Sequence, residues 1–405
     1  MISIKDESKC CGCLACVQVC PKHCIGVKES RKGFLYPVVD EAICIGCNQC
    51  EKVCPFNAGE FTSHPLHTFA AKHISDDIRM KSSSGGAFTA IAENIISKGG
   101  IVFGAMYDDK WNVVHRPVDN KEDIAKLRGS KYVQSYIGDT FVQVKRALQG
   151  GRHVLFSGTS CQVLGLKLYL RKEYENLLTI DIICHGTPSP GVWRDYLSRI
   201  ETRPKGAVGR NSVLSSLKEK PVITGISFRD KSKSWQKFGF VLLGKPASKA
   251  GRNTVLSFSN AVLLYEPASQ NLYTRSFIDN YTLRPSCYNC PAKGGKSKSD
   301  ITLADCWGVW KYHKDIYDDK GVSAVIVNTP KGLELVRQAG MGLTEIKFAE
   351  VYEFNKSYSE SVSHPRFYAL FWILYPWLKI MTIRYVYWLR PRYLINKWLK
   401  KIETR

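Results

Sequence analysis

The sequence is short of acidic residues and has no long apolar run. It holds 36 acidic residues against 58 basic ones, which gives a formal net charge of +22. A basic surface favours nucleic acid, anionic lipid, acidic proteins or phosphorylated ligands. No nucleic-acid motif accompanies the basic stretches, so we expect no nucleic-acid partner. The longest apolar run near the C-terminus, Phe367 to Leu378, contains Pro376 and is too short to cross a bilayer.

Two other patterns are missing. No apolar leader segment precedes the first cysteines, so we expect the fifteen cysteines to be reduced and the protein to be cytoplasmic. No G-x-G-x-x-G follows an expected strand, so the sequence gives no support for a dinucleotide site of the Rossmann type.

The most informative feature that is present is one cysteine spacing that occurs twice. The first copy ends at Cys20-Pro21 and the second at Cys54-Pro55, and each follows C-x2-C-x2-C-x3-C-P. This spacing is typical of dicluster 4Fe-4S ferredoxins, in which the fourth cysteine of each run ligates the other cluster. Zinc sites usually use two separate C-x2-C pairs instead. The predicted ligands are Cys10, Cys13, Cys16 and Cys54 for one cluster, and Cys44, Cys47, Cys50 and Cys20 for the other.

The spacing also divides the chain. Residues 1–59 are the predicted dicluster domain, in which Cys11 and Cys24 are expected to be small buried side chains beside the clusters. Residues 60–80 read as a connector, because their histidines are irregularly spaced around Pro65. Residues 81–365 form the large domain, and 366–405 an aromatic and basic tail.

The large domain alternates strand and helix patterns, which predicts a mixed, mainly parallel α/β sheet and an α+β or α/β fold class overall. Residues 203–221 and 245–253 are expected to be loops, and Gly33 to Val39 a strand or hairpin piece. The predicted strands are 101–107, 152–156, 177–184, 300–304 and 322–328; the predicted helices are 140–148, 160–170, 191–200 and 331–339.

Four further cysteines stand near expected strand ends or in a C-x2-C pair: Cys161, Cys184, Cys287 and Cys290. The carboxyl ends of parallel strands meet at one edge of a sheet, so the four thiolates could ligate a third 4Fe-4S cluster. Two alternatives remain open. One is a pair of buried cysteines beside a zinc-type C-x2-C, and the other is a Cys161 nucleophile assisted by His185.

Residues 82–308 also contain seven short sequence motifs, called blocks here, that occur in a fixed order. They include Ser82-Ser83-Ser84-Gly85-Gly86, Gly129-Ser130-Lys131-Tyr132, Arg284-Pro285-Ser286-Cys287 and Asp305-Cys306-Trp307-Gly308. Together they resemble the beta-subunit family of the 8-hydroxy-5-deazaflavin coenzyme hydrogenases and dehydrogenases, fused here to a dicluster ferredoxin over roughly residues 1–365.

The resemblance implies FAD beside a 4Fe-4S cluster, and it favours the third-cluster interpretation of Cys161, Cys184, Cys287 and Cys290. It implies a flavin- and iron-sulfur-dependent oxidoreductase that works with a protein such as ferredoxin and with an organic substrate or deazaflavin-like cofactor. Bacterial members often belong to saccharide synthesis. The residues expected near FAD are Ser84, Gly85, Gly86, Lys131, Tyr132, Ser135 and Thr159, and the candidate proton donors are His185 and Lys131.

Two places depart from the family pattern. Cys306 stands where the family usually has an aromatic residue, and it is expected to be inert packing, a spare ligand or a thiol near the flavin. Ala292 to Ser297 differs from the usual segment after the second cysteine, and we interpret it as a basic loop.

The tail mixes eleven aromatic residues with lysine and arginine between Phe367 and Arg405. This mixture suits a membrane interface, where rings lie at the headgroups and cations on anionic lipid. A helix docked on the protein or on a partner is the alternative. The function we expect is an iron-sulfur flavoprotein oxidoreductase at the inner face of the membrane; a non-catalytic electron-transfer subunit is the rival.

Overall fold

The computed structural model describes residues 1–59, 64–202, 221–245 and 261–389. The strands in these residues are β1 (Ile25–Glu29), β2 (Leu35–Val39), β3 (His67–Lys72), β4 (Ile101–Tyr107), β5 (Val113–Val118), β6 (Val154–Thr159), β7 (Leu177–Ile182), β8 (Val222–Asp230), β9 (Gly239–Lys245), β10 (Ala261–Pro267), β11 (Ile301–Asp305), β12 (Ser323–Val327) and β13 (Gly342–Glu345).

The described helices are Ala15–Val19, Gln49–Lys52, Asp76–Lys81, Ala87–Ser97, Ile124–Leu127, Thr140–Gln149, Ser160–Leu170, Pro190–Thr202, Leu272–Ile278, Val309–Tyr312, Pro330–Gln338, Phe348–Phe354, Tyr368–Leu378 and 382–389. Short 3-10 turns include Pro285–Asn289.

The N-terminal domain is built from two similar halves. In each half a glycine with positive φ, Gly12 or Gly46, stands inside the cysteine run, and a left-handed residue, Leu14 or Asn48, begins the following short helix. Left-handed backbone curls a short loop tightly, which brings cysteines two residues apart onto one side. The antiparallel pair β1–β2 joins the halves and accounts for the predicted strand or hairpin piece.

One eight-stranded sheet organises the large domain, in the order β13-β3-β12-β11-β7-β6-β4-β5. The central pairs β4–β6, β6–β7 and β7–β11 are parallel, and the four outer pairings are antiparallel. The sheet is mixed as expected, but the prediction that it is mainly parallel is wrong. Antiparallel neighbours need only a short connection, and residues 108–112 between β4 and β5 provide one.

The predicted connector is also wrong from His67 onward. Residues His67–Lys72 form the buried strand β3, which pairs with β12 and β13 in the large sheet. His73 is buried and lies 3.3 Å from Glu93, so it is not part of a solvated linker. Thr68 to Ala71 are all buried, so the strand has no polar and apolar alternation that the sequence could reveal.

The strand and helix predictions between 101 and 200 agree with the structure to within three residues at each end. A separate antiparallel sheet of order β10-β9-β8 was not predicted. The expected loop 203–221 lies outside the described residues except for Pro221, and the expected loop 245–253 except for Lys245, the last residue of β9.

Helices cover both faces of the large sheet, and each face has its own apolar core. On one face, helices Ala87–Ser97 and Pro330–Gln338 pack on the strands. On the other face, helices Thr140–Gln149 and Ser160–Leu170 pack together with Leu14, Ala15 and Val53 of the N-terminal domain. The N-terminal domain therefore shares a hydrophobic core with the large domain.

Two polar contacts and one glycine fix this docking. Gln18 Oε1 accepts hydrogen bonds from the backbone N–H groups of Phe141 (2.8 Å) and Val142 (3.2 Å) at the start of a helix. Gly165 lies so close to Cys13 that an added Cβ would stand 2.8 Å from the Cys13 Cβ and 2.9 Å from its Sγ. A larger residue at 165 would separate the domains.

The tail is folded back onto the body as far as the structure describes it. Helix Tyr368–Leu378 buries Phe371 and Tyr375 in a core that contains Trp193, and the Tyr375 hydroxyl donates to Asp195 at 2.7 Å. Residues 390–405 of the predicted tail lie outside the described residues. Within the described parts of the chain, no helix combines the length and the apolarity that crossing a membrane would require.

The first prediction concerns Gly165. A Gly→Ala change inside a helix normally stabilises it, by about 1 kcal/mol. At Gly165 we expect the opposite, a loss of roughly 1–3 kcal/mol, because the added methyl overlaps Cys13. Anaerobic urea unfolding of the full chain measures the difference. Gly150→Ala is the matched control, since its Cβ would meet only ordinary contacts at 3.5 Å or more; equal effects at both positions would contradict the packing argument.

Candidate metal centres and cofactor site

The thiols of the first predicted cluster set lie together in the N-terminal domain. Cys16 interacts electrostatically with Cys10 and Cys54, and Cys13 with Cys16 and Cys10. Burial raises the pKa of Cys16 to about 12 in the metal-free chain, so iron binding must release this proton. Cys54 of the second run thus lies with three thiols of the first run, which is the exchange that a dicluster fold requires.

The second predicted set surrounds one small cavity near the surface. Cys20 of the first run lines this cavity together with Cys44, Cys47 and Cys50 of the second. Cys47 is exposed, and Cys44 is half-buried. The Cys50 sulfur accepts the backbone N–H of Ile2 at 3.4 Å. This is the more solvent-accessible of the two cysteine sets.

The two cysteines outside the spacing are buried beside these sets. Cys24 lies 3.4 Å from Cys20, measured between the sulfurs. Cys11 lies between two groups of cysteines, because its thiol contacts both Cys13 and Cys161. Cys11 therefore lies at the point where the N-terminal thiols meet those of the large domain.

The four remaining candidate ligands converge from three separate segments. Cys161 is in the first turn of helix Ser160–Leu170, Cys184 follows β7, and Cys287 and Cys290 belong to the turn Pro285–Asn289 and its end. The Cys184 thiol interacts electrostatically with Cys287, Cys161 and Cys290. Burial is the main reason why the pKa of Cys184 is raised well above its ordinary value.

Hydrogen bonds and a buried lysine support this group. The backbone N–H of Thr187 donates to the Cys287 sulfur at 3.4 Å, and the Thr159 hydroxyl lies 3.2 Å from the Cys161 sulfur. Lys293 donates to the Cys184 carbonyl at 2.7 Å. The expected basic loop at 292–297 is therefore partly buried at Lys293, whose cation lies close to the Cys184 and Cys290 thiols.

His185 takes part in a different contact from the one that a nucleophilic pair would need. Its Nε2 lies 2.6 Å from the Asn280 side-chain oxygen, and its ring packs edge-on against Phe277. Burial lowers the pKa of His185. Among the described contacts Cys161 and His185 share no hydrogen bond, so the structure gives no support for the nucleophile alternative.

In the described ranges, no three His, Cys, Asp or Glu side chains are arranged to hold one metal ion. The three cysteine sets described above are thus groups of neighbouring thiols and not preformed single-ion sites.

The residues expected near FAD come from loops that meet beside the carboxyl ends of β4 and β6. The loop of Ser82 to Gly86 contacts the loop of Lys131 through a hydrogen bond from the Ser130 N–H to the Ser83 hydroxyl, 2.7 Å long. The Ser135 hydroxyl accepts a hydrogen bond from Gln162, whose side chain also caps Thr159. The structure therefore brings Ser84, Gly85, Gly86, Lys131, Tyr132, Ser135 and Thr159 into one region.

Some of these residues are already engaged by the protein. The Ser84 hydroxyl donates to the Val322 carbonyl at 2.6 Å, and the Gly85 N–H donates to the Ser323 hydroxyl at 3.0 Å. An added Cβ on Gly85 would overlap the Ala71 carbonyl and Ser323. The glycine at 85 is thus required for packing the loop on the sheet, whatever else it contacts.

Lys131 has the clearest ligand-binding character. It is half-buried, and its ammonium donates only to backbone carbonyls among the described residues, those of Leu127, Arg128 and Gly129 at 3.1 to 3.2 Å. Burial lowers its pKa to about 7, since no carboxylate among the described residues pairs with it. Nearby, the Tyr107 hydroxyl and His115 Nδ1 are buried without a described hydrogen-bond partner. A half-buried cation without a described carboxylate, beside buried polar atoms that have no described partner, fits a polar, anionic ligand.

A buried ion pair lies at the other end of this region. Arg229 binds Asp305 through both terminal nitrogens, at 2.9 and 3.1 Å, and Trp235 donates to the same carboxylate. Arg229 also donates to the Ser83 carbonyl at 3.4 Å. Asp305 lies in one of the sequence blocks named above. Nothing local in the sequence predicts that it pairs with Arg229, 76 positions away.

Cys306 belongs to a hydrophobic core with Val309 and Val322, and burial raises its pKa to about 12. Of the three readings considered for it, the structure favours inert packing.

Comparisons with protein-family models identify the parts of the chain. A model described as "4Fe-4S dicluster domain" matches residues 9–58. Models for the N-terminal and C-terminal parts of the "Coenzyme F420 hydrogenase/dehydrogenase, beta subunit" match residues 68–139 and 151–350. The chain therefore belongs to the coenzyme F420 hydrogenase/dehydrogenase beta-subunit family and carries an N-terminal 4Fe-4S dicluster domain. The family model begins at residue 68, in agreement with the position of β3.

Solved structures give a weaker comparison. A chain of the F420-reducing [NiFe] hydrogenase complex from Methanosarcina barkeri, in a xenon derivative, is 20% identical, with a TM-score of 0.45. The match covers 74% of this chain and 89% of that chain. No curated protein matches the chain.

Family membership makes this a redox protein with an electron-transfer role and iron-sulfur clusters at its N-terminus.

Proposed function

We propose that the chain is an iron-sulfur flavoprotein oxidoreductase. In this proposal, three 4Fe-4S clusters and FAD supply one-electron and hydride chemistry when bound. The observation that carries it is the succession of three cysteine sets, the last of which adjoins the region of Thr159 and Ser135 that also holds Lys131, a half-buried cation with no described carboxylate partner. A ferredoxin-type protein is the proposed electron partner. An organic substrate, as in saccharide synthesis, or a deazaflavin-like cofactor is the proposed hydride partner.

The proposed order in which electrons pass through the three cysteine sets follows from how exposed each set is to solvent. The exposed Cys47 belongs to the set that a partner protein can approach, and the exposed apolar side chains of Val38, Ile43 and Ile45 lie in the same domain. The set of Cys10 is more buried and touches the large domain through Cys11. The set of Cys161 lies inside that domain. Electron exchange with a partner is therefore proposed at the Cys47 end.

FAD is proposed to bind where the loops of residues 82–86 and 128–135 meet. Lys131 would hold the pyrophosphate, because it is a half-buried cation in these loops and has no described carboxylate partner. Tyr132 packs on Phe228 and Phe277 and would contribute to a wall of the site. His185 remains the other candidate for holding a proton, although Asn280 fixes its ring.

A non-catalytic electron-transfer subunit is the second candidate. The family description as a beta subunit favours it, because such a chain acts with other polypeptides. Turnover by the purified chain alone distinguishes the two. If the chain binds FAD but exchanges hydride with no acceptor unless a second polypeptide is added, the second candidate is correct.

Peripheral membrane contact is proposed through one face of residues 373–388. Trp377 is 75% exposed and Trp388 50%, and Ile373 is exposed beside them. Arg384 lies in the same segment, as does Lys379, which is paired with Asp195 at 3.3 Å, and no acidic residue occurs between Glu360 and Glu403. Exposed tryptophan with cations and no acids is the composition that binds an anionic lipid surface.

The second prediction concerns iron. Anaerobically isolated chain should contain about twelve irons, and Cys287→Ala about eight, because the third set would lose a ligand. Cys306→Ala removes the same atoms from a cysteine in an apolar core and should keep about twelve. About eight irons in the unchanged protein would contradict the third cluster. Release of FAD on denaturation, measured in the same samples, tests the flavin separately.

The third prediction concerns pH. Lys131 is charged below its pKa of about 7 and neutral above it, so affinity for the FAD pyrophosphate should fall as pH rises from 6 to 8. We expect a loss of roughly tenfold, the worth of one charge-assisted hydrogen bond. Ultrafiltration of flavin-depleted protein with FAD measures it. Lys131→Arg stays charged throughout and should show a flat profile. Parallel profiles for both proteins would rule out Lys131 as the pyrophosphate ligand.

The fourth prediction concerns the exposed aromatic face. Trp377→Ser should reduce recovery with anionic vesicles in a flotation assay several-fold, since the ring contributes apolar area and headgroup contacts. Tyr312→Ser, a change at an exposed ring on another part of the surface, is the control and should float like the unchanged protein. If neither the unchanged protein nor the control floats, the face binds a protein or nothing.

A further inference from the structure

Arg284 is a buried cation at the junction between the two domains. Only 1% of its surface is exposed. Its Nε donates to the Cys10 carbonyl at 2.6 Å, and one terminal nitrogen donates to the Leu35 carbonyl at 2.9 Å and to the Cys10 sulfur at 3.4 Å. The other terminal nitrogen donates to the Gln134 side-chain oxygen at 2.9 Å. Among the described residues, no carboxylate neutralises this charge.

The position of the guanidinium is fixed by what surrounds it. It lies over the ring of Tyr36, 4.3 Å from the centroid, and 5.3 Å from that of Phe34. Gly12 approaches so closely that an added Cβ would stand 2.7 Å from a terminal nitrogen of Arg284. The charge cannot move away from Cys10 without unpacking the junction.

The same charge acts on sulfurs of both domains. Besides its direct contact with Cys10, it favours the ionised forms of Cys161 and Cys287 electrostatically. The turn that carries Cys287 begins directly after Arg284. Arg284 is therefore the cation that lies between the N-terminal thiols and those of the large domain.

We propose that Arg284, buried without a carboxylate and hydrogen-bonded to the Cys10 sulfur, raises the reduction potential of the cluster held by Cys10, Cys13, Cys16 and Cys54. The inference rests on the proposed function. One electron from the donor protein adds one negative charge to that cluster. Hydrogen bonds to ligand sulfurs and nearby positive charge favour the reduced state. Arg284 thereby draws electrons from the exposed set of Cys47 toward the large domain.

The experiment is an anaerobic redox titration of the holoprotein, followed by electron paramagnetic resonance. Arg284→Gln should shift the midpoint potential of one N-terminal cluster to a more negative value and leave the other unchanged. Arg284→Lys keeps the positive charge, so the midpoint potential in this variant should lie close to that of the unchanged protein. A residue that acted only on folding would change the iron content and leave the potential of the loaded fraction unaltered.

A second pair of variants leaves Arg284 in place, in case Arg284→Gln does not assemble. Gln134→Glu sets a carboxylate against the guanidinium and should produce the same negative shift. Gln134→Leu removes both hydrogen bonds of this side chain, the one to the Cys11 carbonyl and the one from Arg284, adds no charge, and should not produce the shift. The inference is overturned if the cluster held by Cys10 has the same midpoint potential in Gln134→Glu and in Gln134→Leu while about eight N-terminal irons are present. Missing N-terminal iron in the unchanged protein would instead overturn the proposed function.

Discussion

The approach of the N-terminal cysteine loop to helix Ser160–Leu170 is the contact on which the rest of the arrangement depends. Gly165 leaves room for Cys13, and Cys161 lies one turn earlier on the same side of that helix. The Cys11 thiol then reaches both Cys13 and Cys161. If this contact opened, water would separate the two groups of thiols. Gly165, together with Gln18 and the shared apolar core, thus holds the two sulfur-bearing domains against each other.

Part of the large positive charge of the chain lies inside the protein. Arg284 is buried and Lys131 half-buried, both without a described carboxylate partner, and Lys293 is buried beside Cys184. Burying a cation is costly unless an opposite charge or several acceptors surround it. Hydrogen bonds to backbone carbonyls offset part of this desolvation cost. In the proposed function, the iron-sulfur clusters near Arg284 and Lys293 and a pyrophosphate near Lys131 would supply the opposite charge.

The C-terminal segment links the sites to the surface of the protein. The Cys290 N–H donates to the Ser361 hydroxyl, and Lys293 donates to the Ser357 carbonyl, so the segment before the tail covers the C-x2-C turn. Helix Tyr368–Leu378 continues from this segment, and Lys32 of the N-terminal domain lies over the rings of Tyr368 and Trp372. A partner or lipid surface that holds the exposed aromatic face would therefore hold both domains in a fixed orientation.

The sequence by itself determined the family, the dicluster domain and most elements between residues 101 and 200, because ligand spacing and hydrophobic periodicity are local properties. It failed at β3, a buried strand without polar and apolar alternation, and at the outer strands, whose direction depends on their neighbours. Only the tertiary structure showed that Cys11 joins two groups of thiols, that Gly165 admits Cys13, and that Arg284 faces Cys10 from 274 positions away. Such contacts arise when separate segments pack together, and no spacing along the chain encodes them.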